Sequence, residues 1–172
     1  MKKTLLLIVM MTLTSCALLN PNPNRRKDLA EAGLTLRSFT TDYCSEWPDG
    51  KLTDPTQWAA CCFTHDISYW LGGSKDDRVA ADKKLKQCVR DSSDSFNGFL
   101  MYIGVRMGGK PGNASYAWGY GWTRDRDYFE LHPQDALRAK ELLEKSDLNK
   151  NEKEKNLINV FIEETLKTKL EN

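Results

Sequence analysis

Apolar positions along the chain fall into separated blocks, and past the first block their spacing is helical rather than alternating. The first block runs from Leu5 to Leu13, behind Lys2 and Lys3. A helix is predicted from Asp54 to Leu71: Asp54 can cap it, Pro55 suits its first position and Gln57 stands three residues after the cap. Gly72 and Gly73 stop it. Ser74 offers a second cap, with Asp76 and Asp77 in the first turn, where negative charge is favoured. Val79, Leu85, Cys88 and Val89 then recur at roughly helical spacing through about Asp91. Two helices joined by a two-glycine turn predict an antiparallel hairpin. A third helix is expected over 94–107, stopped by Gly108 and Gly109, and further helical periods cover 135–143 and 157–170. Residues 41–55 read as a loop, and the glycine-rich, aromatic stretch 108–123 as a loop or short hairpin. The almost wholly charged or amide stretch 149–156 reads as a solvated linker to a loosely attached tail.

The first block has the layout of a secretory signal and is too short to span a bilayer, which takes about 20 apolar residues. It ends at Leu13-Thr14-Ser15-Cys16, which resembles a bacterial lipobox. The resemblance implies a lipidated Cys16 at the mature N-terminus. Ala17, rather than Asp, follows the cysteine and favours the outer membrane. The expected organisation is a signal peptide over 1–15 and a lipidated N-terminus with flexible tether over 16–28. A domain over 29–146 follows, then a charged linker and C-terminal helix over 147–172.

Charge and cysteine count narrow the function. Lys plus Arg number 25 and Asp plus Glu 24; losing residues 1–15 removes Lys2 and Lys3 and no acid, leaving 23 against 24, a net −1. Such a balance supplies no field for gathering nucleic acid, and no nucleic-acid partner is expected. Cys44, Cys61, Cys62 and Cys88 remain beside Cys16. In an oxidising compartment four cysteines read as two disulfides rather than a zinc site. Cys61 and Cys62 are adjacent and pair poorly with each other, so two pairings stay open.

The chemistry lies in Cys61-Cys62-Phe63-Thr64-His65-Asp66-Ile67-Ser68-Tyr69. On a helix Cys61, His65 and Tyr69 share a face, and Cys62 and Asp66 share the neighbouring one. If Cys61 bonds Cys88, His65 lies about 6 Å and Asp82 about 9 Å from that staple, both toward the glycine turn. Asp82 then comes within reach of His65. A carboxylate on one imidazole nitrogen fixes the tautomer, and the other nitrogen can take a proton from water. Asp66 could help loop oxygens hold a hard cation. No Gly-x-Ser-x-Gly elbow is present, so a water nucleophile fits better than a serine.

The segment Cys61-Cys62-x-x-His65-Asp66-x-x-Tyr69, with Asp82-x5-Cys88 and the preceding Tyr43-Cys44, resembles the secreted phospholipase A2 family over roughly residues 42–90. Ile67 and Ser68 stand where that family usually has a further cysteine, and its loop glycines are replaced by Ser45-Glu46-Trp47-Pro48-Asp49-Gly50. The resemblance implies a mainly α fold with an antiparallel two-helix core stapled by disulfides, here with extra C-terminal helices. It implies the pairs Cys61–Cys88 and Cys44–Cys62. It implies His65 as general base, Asp82 orienting it and Tyr69 bonding Asp82. Ca²⁺ would be held by Asp66 with the loop residues Tyr43, Ser45 and Trp47, or with Glu46 or Asp49 as an acidic ligand. The expected activity is calcium-assisted hydrolysis of a lipid ester, the sn-2 ester of a phospholipid above others. The rival expectation is a non-catalytic envelope lipoprotein of the same build with a binding or structural role. Phospholipid or another lipid would be the substrate and the membrane a partner through the anchor.

Trp58 and Trp70 read as core, Trp118 and Trp122 equally as core or as substrate wall. Arg106, Lys110, Arg124 and Arg126 are candidate phosphate contacts, and His132 a bystander.

Overall fold

A computed structural model describes residues 34–92, 94–112 and 114–171. The signal, lipidation and tether expectations for residues 1–28 lie outside these. The chain is mainly helical: α1 spans Ala59–Leu71, α2 Lys75–Asp91, α3 Ser95–Gly108, α4 Pro133–Glu144 and α5 Glu152–Phe161. A π-helical turn, Ile162–Leu166, continues α5 into α6, Lys167–Leu170. Among the described residues β-structure is limited to the isolated bridges Leu36–Trp122 and Lys51–Asp54, and no helix is long and apolar enough to cross a membrane.

The hairpin of α1 and α2 forms as its glycines dictate. Gly72 and Gly73 take φ 73° and 135°, a region open to glycine at little cost. The Ser74 hydroxyl accepts from the Asp77 amide while the Asp77 carboxylate accepts from the Ser74 amide, a closed capping box. Cys44–Cys62 and Cys61–Cys88 are both bonded, with Cα separations of 5.1 and 5.7 Å. The second staple ties α1 to α2; the first ties α1 to the loop before it.

Helix α1 begins at Ala59, not at Asp54. The Trp58 amide donates to the Asp49 carbonyl (2.9 Å) and its indole to the Pro48 carbonyl (2.5 Å), which folds residues 51–58 back as turns. The expected linker over 149–156 is corrected more strongly. It forms a short 3₁₀ turn, Asp147–Lys150, and then the first turn of α5. The tail is not loose: Ile158, Phe161, Ile162 and Leu166 are buried in one core with Phe63, Ile67 and Trp70 of α1 and Ala136, Ala139 and Leu143 of α4. A smaller core of Trp58, Leu85, Val89 and Met101 surrounds the disulfides. This unit, Leu34–Asn172, therefore carries its own cores and both staples.

Stretch 108–123 makes turns that wrap the hairpin. The Trp118 indole donates to the Gly73 carbonyl and that of Trp122 to the Leu71 carbonyl, so both rings are core and neither is a substrate wall.

Candidate active site

Helix α1 presents His65 and Tyr69 on the face turned to α2, and α2 presents Asp82. Asp82 is fully buried, and His65 Nε2 lies 3.0 Å from its Oδ1. The Tyr69 hydroxyl donates to the same oxygen at 2.8 Å. Arg106 of α3 donates from Nη1 to Oδ2 at 2.7 Å, and Arg78 Nε stands 3.9 Å from Oδ2. Burial pushes the Asp82 carboxyl up, but the hydrogen bonds from His65, Arg106 and Tyr69 outweigh it and hold the group below the usual carboxylate range. An ionised carboxylate only accepts, so His65 Nε2 carries a proton, and in the neutral ring Nδ1 is then the acceptor. The imidazole is braced on its flat side by Tyr69, ring centroids 4.2 Å apart. Tyr69 stays a donor, because burial and the neighbouring Asp82 raise its phenol far above the ordinary value.

Two arginines complete this network. Arg78, 2% exposed, donates to the Tyr69 and Tyr128 hydroxyls and to the Val105 and Arg106 carbonyls, so it pins the end of α3 over the hairpin. Its place four residues before Asp82 on one helix was a local signal. Arg106 gave none, since its partner is distant in sequence. The sequence offered it as a phosphate contact; the structure commits its Nη1 to Asp82. Arg126 likewise stacks over Trp122 and Phe129, with Asp135 at 3.6 Å. Gly109 is required here: a Cβ would collide with the Tyr69 ring and hydroxyl. His132 takes the N-cap position of α4, away from the hairpin site.

His65 lines a cleft of about 910 Å³, within the range of small-molecule sites. Asp66, Tyr43, Ser45 and Trp47 line the same cleft, and Leu85, Leu100, Met101 and Val105 give it an apolar wall. Asp66 is pushed up to about 7 by burial first, then by Asp42 and Asp49, against the Thr41 hydroxyl that donates to its Oδ2 at 2.6 Å. Thr41 was not foreseen; its hydroxyl oxygen also accepts from the Tyr43 amide at 2.9 Å.

The oxygens here suit a hard cation in kind. The carbonyls of Tyr43, Ser45 and Trp47 accept no internal hydrogen bond among the described residues, whereas those of Cys44, Pro48 and Asp49 are taken by Trp47 and Trp58. No group of three or more His, Cys, Asp or Glu side chains gathers among the described residues. A cation would therefore depend on the Asp66 carboxylate plus backbone carbonyls, a set open to Ca²⁺. Asp49 Oδ1 accepts from the Cys44 amide. The lone loop glycine, Gly50, is there because a Cβ would strike the Asp54 carbonyl.

The loop is also held from the far end of the chain. Tyr43 sits at φ 62°, in the left-handed region, and its hydroxyl donates to Glu154 Oε1 of α5 at 2.6 Å. That bond, then burial, pushes the phenol up to about 12.

No protein-family model, curated protein or solved structure matches this chain.

Proposed function

We propose that the protein hydrolyses a lipid ester, the sn-2 ester of a phospholipid above others, as a secreted-phospholipase-A2-like enzyme carried on a lipidated Cys16 in the outer membrane. The observation that carries this reading is the fully buried Asp82 held 3.0 Å from Nε2 of His65, the residue that lines an apolar-walled cleft. His65 Nδ1 takes a proton from water as the water attacks the ester carbonyl, and Asp82 stabilises the imidazolium that forms. The proton then passes to the departing alkoxide. Tyr69 and Arg106 keep Asp82 oriented throughout. Asp66 with the carbonyls of Tyr43, Ser45 and Trp47 would hold Ca²⁺, which when bound would polarise the ester carbonyl and stabilise the oxyanion. The test is release of sn-2-labelled fatty acid from phosphatidylethanolamine and phosphatidylglycerol by the wild-type chain with Ca²⁺ or with chelator. Calcium-dependent release is expected; none under any condition rejects the enzyme, and release undiminished by chelator rejects the metal.

A specific feature favours the second reading, a non-catalytic envelope lipoprotein. The Thr41 hydroxyl already bonds Asp66, and the loop has one glycine, committed to packing. Calorimetry finding no Ca²⁺ binding in the millimolar range, together with no ester hydrolysis, would select it.

A further inference from the structure

Helix α3 is apolar yet buries little. Of its fourteen residues Gly98 and Met101 are buried, while Phe96, Phe99, Ile103 and Met107 are 71, 48, 38 and 74% exposed. At 100° per residue these four fall within a sector of about 80°. A contiguous exposed patch of this kind marks an interaction site rather than chance. Two features place the patch. Leu100 and Gly104, on the next sector of the same helix, line the cleft, so the stripe forms one lip of its mouth. Exposed Tyr116 and Trp47 stand at the same cleft.

Charge selects the occupant. Helix α3 carries no acidic residue. Lys83, Lys86 and Arg90 occupy a sector of about 60° on α2. Lys86 Nζ lies 5.5 and 5.2 Å from the Phe99 and Tyr102 ring centroids, so this cationic face flanks the stripe. Arg90 meets Asp91 at 3.9 Å in a solvent-exposed pair, and Asp76 lies two turns away toward the start of α2. Bulky apolar side chains beside a cationic edge match an anionic lipid surface, into which the rings insert while the amines reach headgroups.

We infer that α3 is a membrane-docking helix that seats Phe96, Phe99, Ile103 and Met107 in an anionic lipid surface and so turns the mouth of the His65 cleft to it. The choice of a lipid rests in part on the lipid-ester reading, but the docking is measurable apart from catalysis. The described unit holds its own cores and disulfides, so the chain from Ala17 onward, free of any anchor, is mixed with phosphatidylethanolamine vesicles containing phosphatidylglycerol and with phosphatidylcholine vesicles. Co-sedimentation and fatty-acid release are read in the same samples. Binding is expected to be about tenfold tighter to the anionic vesicles and to weaken at least about tenfold in Phe96→Ser/Phe99→Ser, whose positions are exposed and leave the core intact. Lys83→Gln/Lys86→Gln is expected to erase the preference for anionic vesicles. Binding without release rejects the hydrolase and keeps the docking helix. Three results overturn the docking: no vesicle binding, binding indifferent to Phe96→Ser/Phe99→Ser, or a dimer abolished by that pair in the absence of vesicle binding.

Discussion

At the scale of single residues, the site turns on how many partners Asp82 has. Its two oxygens receive His65, Tyr69 and Arg106, and this surplus of donors keeps a fully buried carboxylate charged. Arg106→Met removes the Oδ2 donor and leaves the other two. The chain is expected to fold with a loss of about 1–3 kcal/mol in urea unfolding. If hydrolysis is measured, turnover should fall by about tenfold with KM nearly unchanged, because a group acting through Asp82 serves the transition state. Asp66 gives a second expectation. Burial raises its carboxyl from 3.8 unfolded to about 7 folded. A raised carboxyl holds its proton more tightly in the folded chain, so its contribution to stability is complete below about 3.8 and is lost as pH rises through about 7. In chelator, wild-type Tm should therefore drop between about pH 5 and pH 8 by more than that of Asp66→Asn. Equal drops would contradict the raised carboxyl.

At the scale of elements, the hairpin was legible because its signals are local: a two-glycine stop, a capping serine and cysteines at helical spacing. The start of α1 was not, because Pro48 and Asp49 carbonyls reach across the loop to Trp58 and override the cap that Asp54 offers. The start of α5 was hidden by its polarity. Its charged first turn looks solvated along the chain, yet Glu154 is 7% exposed and spends one oxygen on Tyr43. The apolar face that follows is what holds it. Leu166, fully buried against α1 and α4, tests this: Leu166→Ala is expected to cost about 2–5 kcal/mol in urea unfolding, the toll of a cavity in a packed core. A cost near zero would return the tail to the loose attachment its sequence suggests.

At the scale of the whole molecule, segments far apart in sequence converge on one cleft. The loop around Tyr43, the α1–α2 hairpin, the end of α3 and the turns near Tyr116 supply its walls, and α5 braces the loop through Glu154. His65 and Asp82 were readable in the sequence because they lie on two adjacent helices whose register can be counted, and the role of Tyr69 was read from the family resemblance. Arg106, Thr41 and Glu154 were not, since each meets its partner only after the chain has closed over long separations. The most direct measurement compares fatty-acid release by wild type and His65→Gln, with circular dichroism matching the two folds. A loss of at least about a hundredfold is expected when the imidazole base is removed. Release by His65→Gln at the wild-type rate would contradict a water-activating His65 and leave the buried pair a purely structural feature.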